Sequence, residues 1–154
     1  MRRRARLLLL LPALGWVVQP LNSTTPEWAV AVFPSGAEFS LEIAADPESR
    51  RRGYMFRERV GSAEGMLFMF ETSTRHGIWM KNCKVPLDII WLDETFRVVD
   101  VVADFQPCPD QGDCPARQPI EVARYVLEVA GGTTEREGLK RGDVVVILSD
   151  PELR

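Results

Sequence analysis

Leu87-Asp88-Ile89-Ile90-Trp91-Leu92-Asp93-Glu94-Thr95-Phe96-Arg97-Val98-Val99-Asp100-Val101-Val102 is the stretch whose reading decides the fold. Two runs rich in β-branched and aromatic residues flank a polar Asp93-Glu94-Thr95 link, the pattern of a β-hairpin with strands over 87–92 and 96–102. Downstream, residues 125–129 read as another strand, broken by Gly131-Gly132. Thr134 and Glu137 have the spacing of a capping box for a short helix closed by Gly138. Gly142-Asp143 then turns into the continuous apolar run 144–148, which reads as a central strand. Upstream, residues 66–70 form a short apolar run bounded by Gly65 and Glu71-Thr72-Ser73, and residues 38–43 alternate with period two, so both are strands. Between these two, Asp46 is suited to cap a short helix that has Pro47 at its first position and Gly53 at its end.

Six or seven short strands with one or two short helices predict a mainly β (α+β) fold, a small closed or partly closed β-barrel. The chain of 154 residues, 45% hydrophobic and 27% charged, suffices for one core. Its N-terminus has a different logic. Arg2, Arg3, Arg4 and Arg6 precede the apolar run 7–18, and the polar stretch 19–26 follows. A basic region before an apolar one is the pattern of a signal peptide. The run is shorter than the roughly 20 residues that span a bilayer, and Pro12 and Gly15 interrupt it. Residues 1–25 are therefore expected to be a signal peptide and 26–154 a single barrel-like domain, secreted or periplasmic. Membrane contact is expected only through the leader during export. Two small-residue cleavage sites compete, one within 22–25 and the other at Ala29-Val30-Ala31, and the second would cut into the first strand.

Removing the four leader arginines takes the formal net charge from −3 to −7. An acidic domain gains nothing from counterion release on a phosphate backbone, so no nucleic-acid partner is expected. Arg50-Arg51-Arg52 reads as a solvated helix face. Cys108 and Cys114 share one Pro-rich loop, and export favours a disulfide between them. Their spacing is not that of a zinc site and the chain has one histidine, so no metal is expected. Cys83 is left without a partner and reads as a small buried apolar residue. No glycine pattern of the phosphate-binding kind opens a helix, and no cofactor is expected.

Several motifs in order carry a resemblance to a known family: Arg52-Gly53-Tyr54-Met55-Phe56-Arg57, Gly65-Met66-Leu67-Phe68, Trp79-Met80-Lys81-Asn82, Pro86-Leu87-Asp88-Ile89-Ile90, Ala123-Arg124-Tyr125-Val126-Leu127-Glu128 and Lys140-Arg141-Gly142-Asp143. From about Glu38 to Leu148 the chain resembles domain-of-unknown-function family 192. The resemblance implies a compact, commonly exported β-barrel-like domain and no established activity. The chain departs from the family pattern at Cys83, where threonine is usual, and at Tyr54, where leucine is usual; the first argues against a nucleophile at Cys83.

The residues themselves suggest where chemistry could sit. If residues 78–82 are extended, Ile78, Met80 and Asn82 share one face while Trp79 and Lys81 share the other. An amphipathic ring beside a cation can stack on a sugar or hold an anion, and it can equally be a strand end covered by a snorkelling lysine. Asp88 shares a strand face with Ile90 and Leu92, so its carboxylate needs a partner, for which Arg57, Lys81 and Asn82 are the candidates. Three functions remain open. A ligand-binding or accessory module would use Arg57, Trp79, Lys81, Asn82 and Asp88 on a small or saccharide-like ligand. An envelope hydrolase would use Asp88 and Glu128 as catalytic carboxylates. A purely structural domain would use the same polar groups as ties. A His76–Cys83 dyad is disfavoured, because an odd spacing on one strand sends the two side chains to opposite faces.

Overall fold

The computed structural model describes residues 28–109 and 111–149. The leader, the cleavage site within 22–25, Asp110 of the disulfide loop and residues 150–154 lie outside them, whereas Ala29-Val30-Ala31 falls within the first strand. Within them the order is β1 (Trp28–Val32), β2 (Glu38–Ala44), α1 (Pro47–Arg52), β3 (Glu64–Thr74), β4 (Leu87–Leu92), β5 (Val98–Phe105), β6 (Ala123–Ala130), α2 (Thr133–Glu137) and β7 (Val146–Ser149).

The seven strands form one sheet in the order β5-β4-β6-β3-β2-β1-β7. Only β2 and β3 run parallel, and α1 makes the crossover between them that a parallel pair requires. The fold is mainly β with two short helices. The sheet is not closed: β5 and β7 are its edges, and near them a single antiparallel bridge joins Arg97 to Val144.

The central strands are buried on both faces. On one face Leu41, Leu67, Ile90, Leu92, Leu127 and Val129 form the larger core; on the other Met66, Phe68, Ile89, Trp91 and Val126 form a second. Burial of β4 at all six positions follows, and its sequence is accordingly apolar apart from Asp88. Trp91 is completely buried and its indole N–H donates to the His76 carbonyl at 2.8 Å, as a buried indole needs.

Close packing at the centre depends on Gly65. A Cβ there would stand 2.8 Å from both the Glu128 carbonyl oxygen and a Leu41 methyl. Gly65→Ala is therefore expected to force β3 away from β6 and to lower stability by about 1–3 kcal/mol, read as a fall in the denaturation midpoint.

Three local expectations are corrected. The run 144–148 is no central strand: β7 is an edge of four residues, and Val144, Val146 and Leu148 are each about half exposed. Unbroken apolar character marks burial on both faces only where neighbours exist on both sides. The capping box at α2 does not form. Gly132 occupies the N-cap position, and the Thr134 hydroxyl is directed to Asp88 instead. Residues 78–82 are not a strand; Ile78 makes one bridge with Arg117, and the chain then turns at Lys81-Asn82. The α1 reading stands as the residues predict, with Asp46 Oδ1 accepting from the Glu48 and Ser49 amides at 2.9 and 3.0 Å.

Candidate functional site

Glu128 lies on β6 opposite Met66 of β3 and Ile89 of β4, and so points to the second, smaller core. It is 95% buried. No side-chain hydrogen bond among the described residues ends on its carboxyl group, and what remains of its exposure opens into a concavity of about 220 Å³. Burial alone pushes such a group towards its neutral form. Here burial raises the Glu128 carboxyl to about 8, against the opposing pull of Arg57.

The concavity is assembled from three segments. β3 contributes Phe68 and Phe70 beside Glu128. The end of α1 contributes Arg50, Arg51 and Arg52, then Gly53 and Tyr54. Gly53 adopts φ 45°, and a Cβ there would meet Phe68 Cζ at 3.2 Å and Glu128 Oε2 at 3.8 Å. The glycine thus lets the backbone close over the carboxyl. Burial and the nearby Glu128 push the Tyr54 hydroxyl well above its ordinary range, so both groups are neutral at pH 7.

The third segment is 77–83. Ile78 is pinned by reciprocal backbone bonds with Arg117 at 2.9 and 2.7 Å, and Met80 is fully buried, so Trp79 and Lys81 face outward. Trp79 is 44% exposed, with Lys81 Nζ 5.7 Å from its ring centroid. Cys83 lies half-buried; burial first, then Glu128, pushes its thiol up to about 11. A thiol held protonated in this way is a poor nucleophile. His76 stacks on Phe70 with ring centroids 3.6 Å apart and does not line the concavity with Cys83.

Of the residues singled out in the sequence as candidates for binding or catalysis, Trp79, Lys81, Cys83 and Glu128 meet here, and Arg57, His76, Asn82 and Asp88 do not. Asp88 is completely buried on the opposite face of the sheet, among the larger core. Its Oδ1 accepts from the amides of Asp104 at 2.7 Å and Gly132 at 2.9 Å. Its Oδ2 accepts from the Thr134 amide at 2.6 Å and the Thr134 hydroxyl at 2.7 Å. Its partners are thus β5, the 131–132 turn and α2, not Arg57, Lys81 or Asn82. Because Ile89, not Asp88, stands opposite Glu128, the two carboxylates project from opposite faces, and paired acid–base chemistry between them is unavailable.

Arg57 faces away from the concavity. Its two terminal nitrogens grip both oxygens of Glu42, the second at 2.7 Å, and hold that carboxyl below the usual range. Asn82 is exposed and left-handed at φ 58°, and its carbonyl accepts from the Phe56 amide at 2.8 Å. It belongs to a neighbouring hollow of about 290 Å³ where Cys83 meets the Cys108–Cys114 disulfide, whose Cα atoms are 5.5 Å apart.

Tyr54, Phe68, Phe70 and the Arg50–Arg52 run are the site residues the sequence reading passed over. Only the arginines carried a signal, as three consecutive cations beside a helix-ending glycine. Arg50 is occupied by the carbonyls of Ala45 and Met69, the latter at 2.8 Å, and Arg52 by Glu48 at 2.9 Å. Arg51 and Lys81 form no ion pair among the described residues. Those residues also contain no group of three His, Cys, Asp or Glu side chains arranged to hold a metal ion.

Comparison with known proteins places this geometry in a family. The family model DUF192, described as an uncharacterized ACR, matches residues 30–147. A crystal structure from Novosphingobium aromaticivorans DSM 12444, of unknown function, is 31% identical with a TM-score of 0.70, covering 84% of this chain and 90% of the other. A second, from Sinorhizobium meliloti 1021, has been given a provisional transcription-regulator label. It is 28% identical with a TM-score of 0.70, covering 79% of this chain and 93% of the other. No curated protein matches.

Proposed function

The chain belongs to the DUF192 family, and we propose that in this member the pocket over Glu128 binds a small, saccharide-like ligand outside the cytoplasm. One observation carries the reading: a carboxyl group 95% buried, without a hydrogen-bond partner among the described residues, opens into a concavity beside an exposed indole. Its oxygens reach the concavity and accept no hydrogen bond from a side chain or amide among the described residues, so their hydrogen-bonding capacity is open to a ligand. In its neutral form the carboxyl both donates and accepts, as a hydroxyl group requires. Trp79 offers a face for a ring, and Lys81 and Arg51 offer charge at the rim. The signal-peptide pattern and the Cys108–Cys114 disulfide together support an exported location. The Arg97–Val144 bridge between the sheet's two ends favours a partly closed barrel as the scaffold.

The reading is tested by thermal-shift measurements of the protein with monosaccharides and peptidoglycan fragments, with Trp79→Ala and Glu128→Leu measured in parallel. A ligand at 100 times its dissociation constant stabilises the native state by about 2.7 kcal/mol. A rise of several degrees, lost in both variants, is expected. A rise that survives both variants puts the ligand elsewhere, and no rise with any compound of the panel ends the proposal.

A further inference from the structure

The charge around the pocket says more about the ligand than its shape does. Every ionisable side chain that faces Glu128 from the elements packed on it can be named. They are Arg50, Arg51 and Arg52 from α1, Tyr54 from the following turn, Lys81 and Cys83 from segment 77–83, and, outside the concavity on the same sheet face, Arg57 with the Glu42 that it grips. The neighbouring strands present Met66, Phe68, Phe70 and Ile89, all apolar. Among the described residues, Glu128 is the only acid that lines the concavity. In a chain of net charge −3, four cations therefore surround a pocket whose single carboxyl is held neutral. Two of them, Arg50 and Arg52, are engaged by the protein, which leaves Arg51 and Lys81 for a ligand. A concavity of about 220 Å³ is smaller than the roughly 300–1,000 Å³ of sites for drug-sized molecules and takes one ring.

We propose that the ligand is a single hydroxylated ring bearing one anionic group, a sugar acid or sugar phosphate, whose anion meets Arg51 and Lys81 while a hydroxyl meets the buried Glu128 carboxyl. This rests on the saccharide-like reading of the same pocket and adds to it the ligand's charge, its size and its proton requirement. Ionised Glu128 would repel the anion, so binding takes place only to the protonated form. Affinity for the anion therefore falls as pH rises past 8, by about tenfold between pH 7 and pH 9, the factor by which the protonated fraction shrinks.

The test is a calorimetric titration of the mature protein at pH 7 and pH 9 with glucuronate, glucose 6-phosphate, glucose, acetate and inorganic phosphate. Glucuronate or glucose 6-phosphate is expected to bind at least tenfold more tightly than glucose at pH 7, and the better of the two shows whether carboxylate or phosphate is preferred. Acetate and phosphate alone are expected to bind weakly. Glu128→Gln should retain binding at pH 7 and lose the pH dependence, and Lys81→Met should remove the preference over glucose. Glucose bound as tightly as the anions would overturn the inference and leave the saccharide reading intact. Acetate or phosphate bound as tightly as their sugars would overturn the ring, and with it the reading beneath. Binding by none of the five overturns both.

Discussion

Asp88→Asn is expected to lower stability by about 3–5 kcal/mol, because the carboxylate it replaces accepts four hydrogen bonds in a site with no water-exposed side. The shape is kept, but one acceptor becomes a donor. Whichever way the amide is turned, its NH2 faces a backbone amide, either of Asp104 and Gly132 or of Thr134. Each of those groups is part of the fold's joinery. Asp104 is left-handed at φ 49° in the irregular part of β5, and Gly132 occupies the uncapped start of α2. The loss should therefore appear as a fall of about 10–20 °C in the melting temperature of a domain this size. Thr134→Val removes only the hydroxyl donor and should cost about 1 kcal/mol. If Asp88→Asn melted like the parent, the carboxylate would not be the tie described.

The second large effect depends on pH. Glu128 is held protonated by burial up to about 8, whereas in the unfolded chain it ionises near 4.5. Between those values the native state binds the proton and the unfolded state has released it, so this group's contribution to stability is complete below pH 4.5 and is lost as pH rises towards 8. At about 1.4 kcal/mol for each pH unit, the loss across the window is on the order of 3–5 kcal/mol. Glu128→Gln cannot ionise. It should melt close to the parent at pH 5 and well above it at pH 8, and urea denaturation of both proteins at several pH values reads the divergence directly. The carboxyl of Glu42 works in the opposite sense: the hydrogen-bonded Arg57 holds it low, and its contribution is lost as pH falls below about 4.5. These two groups together should thus put the parent's greatest stability near pH 4.5.

The same two carboxylates show what a sequence can and cannot disclose. Strand β4 was legible to its ends, because a fully buried strand between polar links reads as an unbroken apolar run. Helix α1 was legible from its caps, since Asp46, Pro47 and Gly53 each satisfy a local backbone requirement. Even segment 77–83 kept the alternation expected of a strand, with Ile78 and Met80 inward and Trp79 and Lys81 outward, although a single bridge is all the pairing it has. A loop laid on a sheet alternates for the same reason a strand does. The face of Glu128 was not legible: it depends on the β6 register against β3 and β4, which the hydrophobic pattern of β6 alone does not set. Nor was the cover over it, which comes from Gly53 and Tyr54, remote in sequence. Asp88 needed a partner, as a buried carboxylate must. Backbone amides met that need, and a sequence shows side chains in a way it never shows free N–H groups.

The proposed site depends on Glu128 being a neutral carboxyl, unpartnered among the described residues and open to its pocket. The most direct measurement is a carbon-13 NMR titration of the Glu128 side-chain carboxyl, assigned by its loss in Glu128→Gln, between pH 4 and pH 10. A midpoint near 8 that moves upward in the presence of glucuronate or glucose 6-phosphate is the predicted result, since a ligand that binds the protonated form raises its proton affinity. A midpoint near 4.5, unmoved by either compound, would mean that the group is solvated and that the pocket is not the site described.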